Sequence, residues 1–316
     1  MKLLISIIKE IGTVIGQTLS NWLSDRVPLH AAALAFYTIF SLAPLLLIII
    51  ALTGIFFGEQ AAEGQLAEYM EQMMGDELAQ EIESFVASAY HPTSGLLATS
   101  IAIGVILFAS TTVITQLKDS LNQIWNVTAR SGQGLKRFLI DRGLALCLVL
   151  IFTGFMIASL ILEGLLGYLE PVLDPIVPMS VQFWSMLNNV LMLVVTTTLF
   201  AIIYKMLPDI RIKWSDVWVG AVATALMFLL GQYIITLYIG TGAMMTTYGA
   251  AGMFVIFLIW VYYNAMVVFL GAEFTKIYTN RYGSKIRPAD HAVFVPAYME
   301  HDAAEDDQPY VRDIGD

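Results

Sequence analysis

ALAFYTIFSLAPLLLIIIALTGIFF, residues 33–57, runs for 25 residues without one charged side chain. About 20 apolar residues in a helix cross the ~30 Å hydrocarbon core of a bilayer, so this stretch reads as a membrane-spanning helix. Its proline, Pro44, sits mid-span, where it removes a backbone hydrogen bond and frees a carbonyl. Five further stretches of similar length and polarity follow, at about 95–117, 143–166, 183–206, 216–239 and 250–277. The expected fold class is therefore all-α, a polytopic membrane protein with six transmembrane helices. A composition of 58% hydrophobic and 13% charged residues fits that class and excludes an ordinary soluble domain.

The cationic residues fix the expected orientation. Before the first span lie Lys2, Lys9 and Arg26; between the second and third lie Lys118, Arg130, Lys136, Arg137 and Arg142. Lys205, Arg211 and Lys213 separate the fourth from the fifth, and Lys276, Arg281, Lys285, Arg287 and Arg312 close the sixth and follow it. These are all 16 Lys and Arg, and the three alternate loops hold none. The positive-inside rule then puts both termini on the cytoplasmic side. The net charge of −10 is concentrated in the first outer loop and the C-terminal tail, which leaves the inner surface locally basic. Lys136, Arg137, Arg142, Arg211 and Lys213 are candidates there for contact with anionic headgroups.

Three regions flank or cap the spans. Residues 1–30 place Leu4, Ile7, Ile8, Ile11, Val14, Ile15, Thr18, Leu19 and Trp22 at helical spacing, an amphipathic segment expected along the inner interface. Within the transmembrane domain, 31–288, the loop 58–94 carries eight acidic residues and keeps an apolar helical period through a Gly75-Asp76 break, which reads as two short outer amphipathic helices. From Ala289 to Asp316 the chain is an acidic tail, expected to be largely disordered. The second outer loop, about 167–182, is rich in proline, and the third, 240–249, is a Gly/Thr/Met turn.

Ionisable groups within a membrane are expensive and mark function by default. Glu273, after Gly271 in the last span, is the leading one, and Glu163, Asp141 and Asp216 lie near span ends. Uncharged polar residues share helix faces: Tyr37 and Ser41 beside Pro44, Asn189 with Thr196, Gln232 with Thr236, and Asn264 alone. Tyr37, Pro44, Asn189, Gln232, Asn264 and Glu273 are the candidates for a substrate path between spans 1, 4, 5 and 6; the same residue types also serve as interhelical hydrogen-bond glue. No phosphate loop, H-E-x-x-H or G-x-S-x-G sequence occurs, and His30, His91, His291 and His301 lack metal spacing. The lone cysteine, Cys147, can form no disulfide within the chain. No catalytic residue, metal or cofactor is expected.

Ala31-Ala32-Ala33-Leu34-Ala35-Phe36-Tyr37-Thr38 continuing to Ser41-Leu42-Ala43-Pro44-Leu45, Asn122-Gln123-Ile124-Trp125-Asn126-Val127, Leu207-Pro208-Asp209, Trp214-Ser215-Asp216 with Gly220-Ala221, and Tyr248-Gly249-Ala250-Ala251-Gly252 leading to Gly271-Ala272-Glu273 together resemble the YihY/BrkB family of bacterial inner-membrane proteins. The resemblance covers nearly the whole membrane region and implies an all-helical protein of six spans, with proposals for the family centred on envelope physiology and transport. A ribonuclease BN label carried by some members is not expected to apply, because metal-dependent RNA hydrolysis needs clustered His and Asp ligands. The matched Pro44, Trp125, Asp216, Gly249 and Glu273 are expected as architecture first and substrate contacts second. The function expected is a transporter or lipid translocase without its own ATPase, and the alternative is a non-transporting scaffold or assembly factor. Passive movement is favoured over ion-coupled pumping, because the spans show no charged relay. Expected partners are a phospholipid or other lipid, with a small-molecule substrate and homo-oligomer formation left open and nucleic acid excluded.

Overall fold

The computed structural model describes residues 2–57, 80, 104–129, 134–173, 181–239 and 252–295. The outer cap 58–94 (Gln80 apart), the start of the second span, the third outer loop and the tail from 296 lie outside them. Helix α1 (Lys2–Ser24) meets α2 (Val27–Phe57) at a two-residue turn. Residues 104–110 are helical and pass through Thr111 into α3 (Thr112–Ile124), which leads to β1 (Val127–Ala129). Then come α4 (Gly134–Leu173), α5 (Val181–Met206), β2 (Ile210–Arg211), α6 (Trp214–Ile239), α7 (Gly252–Tyr282), β3 (Arg287–Pro288) and β4 (Ala292–Phe294).

Among the described residues five helices are long and apolar enough to cross a membrane: α2 over Val27–Ile50, α4 over Phe138–Phe155, α5 over Asn189–Met206, α6 over Trp214–Tyr233 and α7 over Val255–Tyr282. The remaining expected span, 95–117, is only half described, and its described part breaks at Thr111. Helix α2 starts four residues before the expected domain boundary at 31, because Pro28 falls in its first turn, where a missing N–H leaves no intrahelical bond unmade. Val27 is already fully buried there. Helix α4 runs to Leu173, past the Pro171 expected in a loop.

Helix α6 packs against α5 on one side and α7 on the other; α7 also packs on α1, α2 and α3, and α4 touches α2, α3 and α5. The α6–α7 approach is close because small residues meet side chains there. A Cβ on Gly220 would fall 1.8 Å from Thr275 Oγ1, and one on Gly271 1.9 Å from Thr224 Oγ1. Small residues one turn apart let membrane helices approach backbone to backbone. Between them the Tyr204 hydroxyl donates to the Val268 carbonyl at 2.7 Å and sits 3.0 Å from Thr224 Oγ1.

Among the described residues the larger core cluster lies at one end. Leu34 and Val27 of α2, Leu121 and Ile124 of α3, Leu148 of α4, Tyr204 of α5, Val217 of α6 and Phe269 of α7 belong to one buried cluster. These positions lie near the helix ends that carry the basic residues. Toward the other end a smaller cluster joins only α2 and α7, through Leu46, Ile49, Ile256 and Phe257. Large apolar side chains such as Phe36, Phe40, Met186, Leu226 and Leu230 are exposed, as suits a surface solvated by lipid.

Four short strands join the helices at the basic end. Strand β1 pairs antiparallel with β4, Val127 opposite Phe294, and β2 with β3, Arg211 opposite Arg287. Asn126 makes the turn before β1 with a φ of 54°, in the left-handed region that asparagine tolerates. Residues 287–294 therefore stitch together the α3–α4 and α5–α6 connections. The expected acidic tail begins inside this structure, since β4 lies beyond Ala289.

Candidate functional site

Helix α3 buries one face of the sequence TVITQLKDSLNQI, with Lys118 and Leu121 turned inward. Lys118 is 3% exposed, and a buried ammonium is tolerated only when paired. Its Nζ lies 2.5 Å from Asp141 Oδ1 of α4 and 3.0 Å from Asp209 Oδ1, in the connection after α5. Asp209 is itself buried and is the hub. Asn122 Nδ2, one turn beyond Lys118, donates to its Oδ2 at 3.1 Å, and its backbone N–H donates to Asn122 Oδ1 at 2.8 Å. His291 Nε2 lies 2.9 Å from Oδ1; a carboxylate only accepts, so the ring nitrogen is the donor. The Ala289 N–H donates to the Asp209 carbonyl at 2.9 Å. One carboxylate thus holds α3, the α5–α6 connection and the segment leading to β4, while Lys118 extends the network to α4.

Asp119 stands on the rim of this network. Loss of hydration in the surrounding protein raises its pKa above the ordinary carboxylate value, and Asp141 and Asp209 push the same way against the opposing pull of Lys118 and Arg142.

A second buried cluster lies where α1 turns into α2 beside α7. Lys276 Nζ is 3.1 Å from Asp25 Oδ2 and 3.7 Å from Glu273 Oε2. Glu273 is fully buried, and neither of its carboxylate oxygens has a hydrogen-bond partner. Arg26 turns the chain here with a φ of 51°, and Asp25 N–H donates back to the Asn21 carbonyl.

The candidate residues separate. Glu273 is enclosed in the second cluster, whereas Tyr37 on α2 and Asn189 on α5 are exposed on different helices. Pro44 is half-buried within α2, and Gln232 is half-buried on α6. Asn264 is half-buried on α7 with its amide donated to the Trp260 carbonyl at 2.7 Å, a bond within its own helix. The six lie on four helices, α2, α5, α6 and α7. Lys136 is exposed; the Arg137 side chain lies outside the described residues. Arg142 is not an outward cation. Its guanidinium bonds the Phe108 carbonyl at 3.1 Å, Thr111 Oγ1 at 2.8 Å and Thr112 Oγ1 at 3.2 Å, and stacks 4.2 Å over the Phe108 ring. It satisfies the helix break at Thr111, where the ladder leaves groups open. Arg211 and Lys213 are exposed, Arg211 ion-paired with Asp290.

The Lys118 network was not legible as a site. Lys118 and Asp209 read as loop charges, and their only signal was that each fell in or beside a stretch carrying the family resemblance.

The family described as Virulence factor BrkB matches residues 18–294. Similar proteins include UPF0761 membrane proteins of Azotobacter vinelandii, 26% identical over 260 residues that cover 80% of this chain and 60% of that one, and of Albidiferax ferrireducens, 26% identical over 250 residues covering 78% and 58%. A third, from Psychromonas ingrahamii, is 24% identical over 256 residues covering 79% and 82%. The chain thus spans about three fifths of the length of the first two relatives. No solved structure matches.

Proposed function

The chain belongs to the Virulence factor BrkB family of multi-pass membrane proteins, and from that premise we propose that it is a transporter or lipid translocase of the bacterial inner membrane, with its basic end in the cytoplasm. The observation that carries this reading is the buried network of Lys118, Asp141, Asp209, Asn122 and His291. Buried ion pairs contribute little net stability. Inside a membrane domain they mark pathways and gates. This one joins α3, α4, the α5–α6 connection and the segment before β4, which must part if the basic end opens. It is the device expected of a closed inner gate.

The test is reconstitution into vesicles with fluorescent phospholipids and soluble dyes. Wild-type protein accelerates movement of one cargo class. A Lys118→Met, Asp141→Asn, Asp209→Asn variant, which removes the cation together with both carboxylate charges paired with it, changes that rate. If nothing moves and specific protein crosslinks form instead, the scaffold reading replaces this one.

A further inference from the structure

Strands β2 and β3 bring two distant basic segments side by side. Arg211 lies directly opposite Arg287, and like charges at opposed positions destabilise a strand pair. Exposure alternates along both segments: Ile210 and Ile212 are buried while Arg211 and Lys213 are exposed, and Ile286 is buried between exposed Lys285 and Arg287. Arg211 and Arg287, as cross-strand partners, face outward from one side of the ribbon, and Lys213 and Lys285 are exposed just beyond its strands. Asp290 answers Arg211 alone. Asp216, the other acid close to Lys213, attracts it electrostatically but is itself buried, with its Oδ2 accepting from the Ser284 N–H and hydroxyl at 2.9 Å each. That clamp ties the start of α6 to the exit of α7 and fixes the ribbon between two spans.

We propose that this ribbon is a docking site for anionic phospholipid headgroups. Its height favours a membrane over a soluble polyanion. Lys213 immediately precedes the α6 span and Lys285 follows the α7 span by three residues. Trp214, Trp218 and Tyr282 at those span ends are 48%, 40% and 48% exposed. Exposed Trp and Tyr at span ends belong at headgroup level, which puts the four cations against lipid phosphate. The site holds whether or not the protein moves a cargo, because lipid retention is read without any flux.

The experiment is native mass spectrometry of the full chain in neutral detergent with phosphatidylglycerol or phosphatidylcholine added. Wild-type protein retains phosphatidylglycerol preferentially. A Lys213→Gln, Lys285→Gln, Arg287→Gln variant loses about fivefold of that preference per charge removed at low salt. Lys213→Arg, Lys285→Arg, Arg287→Lys keeps it, and so does Lys9→Gln, which removes an exposed cation elsewhere. The proposal is overturned if the triple Gln variant binds as wild type does, or if Lys9→Gln loses as much. It is equally overturned if inorganic phosphate or a short RNA displaces the lipid at matched concentration.

Discussion

Asn122 and Asp209, 87 residues apart in sequence, exchange two hydrogen bonds: the Asn122 amide donates to the Asp209 carboxylate at 3.1 Å, and the Asp209 backbone N–H donates to the Asn122 side-chain oxygen at 2.8 Å. The reciprocal pair fixes the connection after α5 against α3 and aims the Asp209 carboxylate at Lys118. Asn122→Ala leaves the Asp209 N–H unpaired in a buried site, a loss of about 1–3 kcal/mol for each orphaned group. Asn122→Asp adds a carboxylate facing Asp209 and is the more damaging of the two. Thermal unfolding in detergent gives the order wild type, Asn122→Ala, Asn122→Asp in falling midpoint; equal midpoints would show that the pair is dispensable.

Lys276 serves two carboxylates, Asp25 and Glu273. Lys276→Met leaves the Asp25 carboxylate without its cation, and breaking a largely buried pair in this way costs about 3 kcal/mol. Adding Asp25→Asn to that variant recovers part of the loss, because the orphaned charge is gone. Chemical unfolding of the single and double variants checks this; a double variant no more stable than Lys276→Met contradicts it.

The α6–α7 seam admits no side chain at Gly271. Gly271→Ala drives a methyl group against Thr224 Oγ1 and the Tyr204 hydroxyl, at 1.9 and 2.5 Å, for a loss of about 1–3 kcal/mol. Thr224→Ala in the same chain restores part of it, a coupling that a double-mutant cycle measures. Gly143→Ala on α4 has nothing within 4 Å of the new methyl group and is neutral or stabilising by up to about 1 kcal/mol.

Because the pKa of Asp119 is raised in the folded protein, its ionisation works against folding. Its favourable contribution is complete below the ordinary carboxylate value of 3.8 and is lost as pH rises through the higher folded-state value. Asp119→Asn therefore raises the unfolding midpoint at neutral pH and leaves it unchanged in the acid range. A pH series of melting curves for the two proteins tests the sign.

Orientation is checked by thiol labelling. In a Cys147→Ala background, cysteines placed at the exposed Lys136 and Lys213 react with a membrane-impermeant reagent from the cytoplasmic side of inverted vesicles and not in intact cells. Labelling in intact cells would turn the molecule over.

The apolar runs foretold α2, α4, α5, α6 and α7, since a span must be apolar along its length whatever it packs against. Gly271 as a point of close approach was equally readable, because a residue without a side chain beside the ionisable Glu273 has few other uses there. The charge network was not. Hydropathy assigns Lys118 and Asp209 to connections and says nothing of which connections meet, and strands of two or three residues carry no period long enough to detect. Arg142 shows the same limit: a cation at a span entrance looks like a headgroup contact until the break at Thr111 supplies carbonyl and hydroxyl partners. Tyr37, Asn189 and Asn264 were grouped by polarity alone; the first two are exposed, and the third bonds the backbone of its own helix.

The pairing of β4 with β1 and of β3 with β2 also orders the birth of the molecule. Each described span leaves the ribosome before Phe294 does, so the His291 contact to Asp209 and the register that supports it close only after α7 has emerged. Assembly of the basic end therefore follows insertion of the described spans, and a chain ending at Tyr282 would carry those helices with the seal unmade.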